Sequence, residues 1–320
     1  MSPRLRTVLL AGGGGGARLA RGFYGLVQHA ETLVLTNPGD DFEHLGLLVC
    51  PDTDSVLYAV SDAIDAQRGW GRESESWSVL AEVERLGGPS WFQLGDRDIA
   101  MHLLRREGLD AGQSLTCITG NLAERLGIRG LQIVPASEQS VRTVLTTAEG
   151  DLDFQSYFVG RRCEPKVESL EYQGAIEAAP APDLLAFLQA GCDCVILGPS
   201  NPYLSLAPML AISGIVEALT RAAQVVAVAP IVDGAAIKGP LAKMMADRGL
   251  EPTALSWVDE MKTLHPGLVD LWVLDRRDQD AAEVLRLRGE RVFTCDTMMT
   301  DTTQKIALAG QLIEEVKRFV

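Results

Sequence analysis

Histidine is scarce in this chain: four copies in 320 residues, His29, His44, His102 and His265. None has the close spacing that builds a metal cluster, and no Ser-His-Asp arrangement can be argued from their positions. Their expected roles are structural or superficial. The six cysteines, Cys50, Cys117, Cys163, Cys192, Cys194 and Cys295, show neither zinc spacing nor a redox Cys-x-x-Cys. Only Cys192 and Cys194 are close, and on a strand they share one face. Reduced, mostly buried thiols are expected, as in the cytoplasm. No apolar run reaches the roughly 18 residues of a membrane helix, and no secretory leader precedes the first apolar segment. A cytoplasmic protein with no membrane partner is the expectation. Positive charge is short as well: 29 Lys and Arg face 43 Asp and Glu, giving a net charge of −14. That balance argues against a nucleic-acid partner. An anionic substrate must then be held by local cations, backbone dipoles or a metal.

Glycine is abundant where it matters. Val8–Ala11 is apolar and runs into five consecutive glycines, Gly12, Gly13, Gly14, Gly15 and Gly16, then into a helical pattern. Each glycine loses much backbone freedom on folding. The usual gain is close approach of N–H groups to an anion at a helix N-terminus. No Gly-Lys-Ser/Thr follows, so this is not a Walker loop. A tight strand-to-helix turn without a ligand is the plain alternative.

The rest of the chain alternates strands and helices. Thr7–Ala11 and Glu31–Thr36 read as buried strands. Ala17–His29, Asp54–Ala66, Asp98–Arg106 and Leu122–Leu126 read as helices. Val141–Thr147 and Asp153–Val159 flank a turn and predict a β-hairpin. Asp193–Leu197, Val225–Ala229 and Leu271–Leu274 are further buried strands, each leading through turn residues towards a helix. The class is α/β: a doubly wound, mostly parallel Rossmann-like sheet with an inserted β-hairpin or mixed segment. Residues 1–134 and 186–320 form the expected core, and 135–185 the insert. Such sheets bind ligands beyond the carboxyl ends of their strands. Gly12–Gly16, Asn37–Asp41, Gly198–Pro202 and Pro230–Lys238 all fall there.

Several segments carry possible chemistry. Asp40, Asp41, Asp52 and Asp54 follow the glycine loop and suit Mg²⁺, which takes one or two carboxylates and keeps water and phosphate oxygens. Asp52 as a helix N-cap is the alternative. In Leu94-Gly95-Asp96-Arg97-Asp98, Arg97 can hold a phosphate while Asp96 and Asp98 orient it; a capped helix start explains the same residues. Gly198, Ser200 and Asn201 lie in a proline-stiffened polar loop suited to base or phosphate recognition. Lys238 and Lys243 open a helix, where a lysine opposes the dipole and an anion would relieve the conflict.

Taken together, the chain resembles the 2-phospho-L-lactate transferases of deazaflavin coenzyme (F-420) biosynthesis. The matching stretches are Gly12–Ala17, Gly39-Asp40-Asp41, Pro51–Tyr58, Arg68-Gly69-Trp70-Gly71 and Leu94–Asp98. They continue, in family order, with Pro135–Arg142, Phe154-Gln155, Gly198–Pro202, Lys238-Gly239-Pro240 and Asp296–Met299. The resemblance implies transfer of a phospholactyl-type group, derived from 2-phospholactate, phosphoenolpyruvate or 3-phosphoglycerate. The donor is linked to guanosine diphosphate, the acceptor is the deazaflavin Fo, GMP leaves, and Mg²⁺ is required. It also implies a homodimer. By resemblance, the glycine loop with Gly198–Pro202 holds the guanosine diphosphate part. The four aspartates lie at the metal and the attacking hydroxyl. Asp54, with Gln93–Asp98, faces the deazaflavin. The chain departs from the family at Gly14 and Pro38, where threonine is usual, and at Arg18, where lysine is usual.

The mechanism expected from this reading is direct phosphoryl-type transfer. Two unit charges ~4 Å apart interact by roughly 4 kcal/mol at an effective dielectric near 20. Carboxylates beside a diphosphate therefore oppose binding unless Mg²⁺ lies between them. Asp40 and Asp54 are the expected catalytic pair, with Asp54 orienting or deprotonating the Fo hydroxyl; Asp54→Asn should cut turnover roughly 10²–10⁴-fold. Two rivals differ. A non-catalytic regulator that binds nucleotide sugars would share the glycine loop but not Leu94–Asp98 or Phe154-Gln155. A dehydrogenase would want an acid closing the second strand, where Thr36-Asn37-Pro38 stands.

Overall fold

The computed structural model describes residues 4–65, 67–236 and 239–319. Seven strands form the central sheet: β1 (Leu5–Ala11), β2 (Ala30–Thr36), β3 (Leu131–Pro135), β4 (Cys194–Leu197), β5 (Val225–Val228), β6 (Leu271–Asp275) and β7 (Val292–Cys295). Every pairing is parallel, in the order β7-β6-β5-β4-β1-β2-β3. The chain runs outward from β1 in one direction, then crosses back to β4 and runs outward in the other. The sheet is Rossmann-like, with its switch point between β1 and β4.

Alternating side chains explain the near-continuous apolar runs. Val8, Leu10, Leu33, Leu35, Val195 and Leu197 enter the core on one face. Leu9, Val34, Ile133, Ile196, Val226 and Val273 enter the core on the other. Both faces are covered, so neither register of a strand can be polar. Helix α1 (Gly13–Tyr24) covers the second face together with α2 (Pro51–Val60) and the C-terminal helix Thr302–Val316. On the first face Trp257 meets Trp272 edge-on at 5.6 Å.

Helix boundaries differ from the sequence expectation in ways that matter for the site. Helix α1 starts at Gly13, inside the glycine run, and stops at Tyr24, because Gly25 caps it and the chain turns through Leu26–His29. Helix α2 starts at Pro51, whose fixed φ suits the first helical position, and ends at Val60 before Asp62, which takes φ 56°. Asp52 and Asp54 thus sit in its first turn, and Cys50 rather than Asp52 is the N-cap. Helices α3 (Ser78–Arg85), α4 (Asp96–Asp110) and α5 (Leu115–Arg125) follow, the last capped by Ser114.

Between β3 and the helix Pro182–Gln189 lies a three-stranded antiparallel sheet. Arg142–Thr147 is its centre, flanked by Gly150–Asp153 and Val167–Gln173. The second arm of the hairpin ends at Asp153, and Ser156–Gly160 winds into a π-helical turn instead of continuing as strand.

Candidate active site

Because all seven strands are parallel, the loops after β1, β2 and β4 meet at one edge. They open on a cavity of about 780 Å³. Its lining includes Gly12–Gly15, Arg18, Asp40, Asp52, Asp54 and the loop Pro199–Asn201, together with Trp70, Trp91, Phe92, Phe154 and Phe158. The cavity therefore combines backbone and carboxylates with aromatic rings.

The glycines of the β1 loop are fixed by contact. A Cβ at Gly12 would fall 2.5 Å from the Ser205 Cβ, at Gly15 2.0 Å from the Pro199 carbonyl oxygen, and at Gly16 2.7 Å from the Ala11 Cα. Gly13 takes φ 62°. Gly14 differs: no atom lies within 4 Å of its Cβ position. The Ser200 hydroxyl donates to the Gly12 carbonyl at 2.7 Å, locking the β4 loop onto the β1 loop. The N-cap Gly12 has no side chain to cap α1, and of the first-turn N–H groups Asp52 takes that of Gly13. The rest have no helical partners, so the positive end of the dipole faces the cavity.

Asp52 is held from two sides. Its Oδ1 accepts from Gly13 N–H at 2.7 Å and its Oδ2 from Asn37 Nδ2 at 2.9 Å. Asn37 also donates to the Leu204 carbonyl at 3.0 Å and accepts from Gly39 N–H at 2.9 Å. One buried amide thus ties together the loops after β2 and β4 and the start of α2. Asp40 lies beside Asp52, and its buried Oδ1 has no hydrogen-bond partner. Burial, then the charges of Asp52 and Asp41, push the Asp40 carboxyl well above its ordinary 3.8. Burial raises Asp52 to about 6 in spite of its two donors. An orphaned carboxylate oxygen beside a second buried carboxylate is a donor set that suits a hard divalent cation.

Asp54 is engaged differently. Arg105 of α4, fully buried, donates to both of its oxygens, to the Leu48 carbonyl at 3.2 Å, and lies 3.0 Å from His102 Nδ1. Burial pushes His102 down to about 4, so it sits neutral in the cavity wall. Asp98 accepts from the Tyr58 hydroxyl at 2.5 Å and is raised by burial to about 6.

The comparisons with known proteins bear directly on this arrangement. The profile of the family described as 2-phospho-L-lactate transferase CofD matches residues 7–312. The chain belongs to the CofD family. It is 38% identical over 325 residues to the phosphoenolpyruvate transferase of Kitasatospora aureofaciens, covering 98% of this chain and 99% of that protein. It is 37% identical to the phosphoenolpyruvate transferase of Streptomyces griseus over 97% of this chain and 98% of that one. The 2-phospho-L-lactate transferase of Methanosarcina mazei is 33% identical, covering 96% of this chain and 99% of that protein. A solved structure of a UPF0052 family member from Bacillus halodurans superposes with a TM-score of 0.60 at 16% identity, covering 99% of this chain and 100% of that one. That likeness concerns the fold.

In this CofD family chain the residues singled out from sequence are placed unevenly. Gly12–Gly15, Arg18, Asp40, Asp52, Asp54, Gln93, Asp98, Ser200 and Asn201 line the cavity. Gly16 and Gly198 lie behind it, where each allows close backbone packing. Asp41 faces a second cavity of about 450 Å³ with Glu43, Glu138 and Arg142, and burial raises it to about 8. Among the described residues no three His, Cys, Asp or Glu side chains group as a metal cluster, although Asp40 feels the charges of Asp52 and Asp41, and Asp41 that of Asp54. Asp96 and Arg97 point away. Asp96 accepts from the N–H groups of Ser78 and Val79 and so caps α3, while Arg97 is exposed and donates to the Glu73 carbonyl. Lys243 pairs with Asp247 and the Pro165 carbonyl rather than facing an anion. Lys238 lies outside the described residues. No helix among the described residues is long and apolar enough to cross a membrane.

Sequence reasoning missed Asn37 as a hub, and it missed Arg105 and His102 as the frame of Asp54. Arg105 sits in a helix with no motif around it. Its partner lies 51 positions away, so no local pattern announces the pair.

Proposed function

We propose that this protein transfers a phospho-acid group from a guanosine diphosphate-linked donor to the terminal hydroxyl of the deazaflavin Fo, releasing GMP, with Mg²⁺ as cofactor. The observation that carries the reading is the mixed lining of one cavity. A helix N-terminus with its close-packed glycine loop and a set of aromatic rings border the same space. The first suits a diphosphate, the second a flat heteroaromatic ring. Matches to transferases named for phosphoenolpyruvate and for 2-phospho-L-lactate support the reaction class and leave open which acid the donor carries.

Asp40 and Asp52 are the residues suited to hold Mg²⁺. When bound, the ion would neutralise charge on the diphosphate and polarise the attacked phosphorus. The chain's own groups do the rest. The α1 N-terminus and Arg18 bind diphosphate oxygens. Ser200 and the two prolines fix the nucleotide-side loop. Asp54, saturated by Arg105, keeps a fixed carboxylate in the wall. Asp98, which lines the cavity with no ion-pair partner among the described residues, takes the proton of the attacking hydroxyl. This reassigns to Asp98 the role that sequence alone suggests for Asp54.

The test is incubation with Fo, Mg²⁺ and guanylylated 2-phospholactate, phosphoenolpyruvate or 3-phosphoglycerate, followed by mass analysis. Formation of GMP and a phospho-acid diester of Fo is expected with at least one donor. No product with any of the three would reject the proposal.

A further inference from the structure

The cavity is rich in carboxylates. Asp40, Asp52, Asp54 and Asp98 all line it. Only Asp54 has a buried guanidinium partner. Among the described residues in the lining the cations are Arg18 and Arg162. They come from different elements. Arg18 is on α1, one turn beyond the glycine loop. Arg162 comes from the inserted segment, alongside Phe154, Gln155 and Phe158.

Arg162 is unusual in two independent ways. Its φ is 51° and that of Cys163 is 59°, a left-handed pair that costs a side-chain-bearing residue energy and persists only where the surroundings impose it. Cys163 N–H donates to the Tyr157 carbonyl at 3.0 Å, and Glu164 N–H to the Arg161 carbonyl at 3.0 Å, so the turn is held by its own backbone. The neighbouring Arg161 is ion-paired with Glu149. Arg162 is exposed, has no ion-pair or hydrogen-bond partner among the described residues, and is one of the residues lining the cavity.

A donor of the proposed kind carries two anionic parts. The diphosphate is answered by the α1 N-terminus and Arg18. For the carboxylate of the phospho-acid, Arg162 is the remaining cation among the described residues of a lining otherwise rich in carboxylates. We propose that Arg162 binds that carboxylate. A guanidinium matches a carboxylate with two parallel N–H bonds. The proposal rests on the transferase reading above and adds to it the side chain that selects an acid over a neutral substituent.

The experiment is calorimetric binding of two probes to the Mg²⁺-loaded protein: guanylylated phosphoenolpyruvate, and the guanosine diphosphate ester of ethanol, which lacks the carboxylate. Wild type should bind the first more tightly, roughly 10- to 100-fold. Arg162→Gly, which suits the left-handed backbone and removes the cation, should lose that preference. It should bind the ethyl probe and Fo as wild type does, with an unchanged unfolding midpoint. Arg162→Lys should keep part of the preference. If wild type binds both probes equally, or if Arg162→Gly weakens Fo instead, the assignment of Arg162 is wrong and the transferase reading stands. If wild type binds neither probe, both readings fall.

Discussion

Arg105 sets the two arms of its guanidinium on the two oxygens of Asp54, with side chains 0% and 6% exposed. The pair joins the first turn of α2 to the middle of α4. A buried pair of this kind adds little over an apolar pair of similar size, but breaking it leaves an uncompensated charge.

Arg105→Ala should therefore destabilise the protein by about 3–5 kcal/mol, read as a fall in the urea midpoint without change in slope. Asp54→Asn leaves the buried Arg105 guanidinium without its counter-charge and should cost a comparable amount of stability. It should leave the pH profile of turnover unshifted. Asp98→Asn should cut turnover roughly 10²–10⁴-fold while leaving the fold intact. A larger loss of turnover in Asp54→Asn than in Asp98→Asn, with the fold intact, would return the proton-accepting role to Asp54.

The glycine loop gives a sharper contrast. Gly14→Thr places the family's usual residue where no atom lies within 4 Å. Its stability should stay within about 1 kcal/mol of wild type, and any effect should appear in donor affinity. Gly15→Ala pushes a methyl group to 2.0 Å from the Pro199 carbonyl. It should lower stability by about 1–3 kcal/mol and open the β1 and β4 loops. Equal unfolding midpoints for the two variants would contradict this packing.

Those two variants also mark what the sequence could and could not disclose. Five of the seven sheet strands were legible because buried parallel strands are apolar and are punctuated by glycine and proline, whereas the two edge strands, Leu131–Pro135 and Val292–Cys295, were not. The place of the site was legible because parallel strands put their loops at one edge. The aspartates were visible as residues but not as roles. Asp52 and Asp54 are two positions apart on one helix, yet Asn37 and Gly13 claim the first and Arg105 the second. Asp40 and Asp41 are adjacent, yet they face different cavities. Asp96 looked like a substrate residue and is a cap for a helix that the sequence did not reveal. Such divisions are set by partners far along the chain, which no local spacing records.

The aromatic part of the lining predicts a separable loss. Phe158 is 40% exposed and stacks on Phe154 with ring centroids 5.3 Å apart. Phe158→Ala removes a surface on which a flat ring can stack, an interaction worth roughly 1–3 kcal/mol per base in comparable sites. The KM for Fo should rise by about 5- to 100-fold, with donor KM and unfolding midpoint unchanged. A rise confined to the donor would place the acceptor elsewhere.

The raised carboxyls make the metal-free protein unusual towards acid. Asp52 and Asp98 rise from an ordinary 3.8 to about 6, and Asp41 to about 8, each chiefly through burial. A carboxyl whose folded value lies above its unfolded one binds its proton more tightly when folded. Its contribution is present at low pH and is lost as pH rises through the folded value. A shift of two units corresponds to roughly 3 kcal/mol. His102, lowered to about 4, works in the opposite sense below about pH 6.5, but with three carboxyls against it the metal-free protein should melt at higher temperature near pH 5 than near pH 8. Mg²⁺ demands deprotonated carboxylates, so it should raise the melting temperature more at pH 8 than at pH 5 and flatten the profile. Replacing Asp52 and Asp40 together by asparagine should remove the metal response and part of the pH slope. A melting profile of the metal-free protein that climbs from pH 5 to pH 8 would show that burial does not raise these carboxyls as the structure describes.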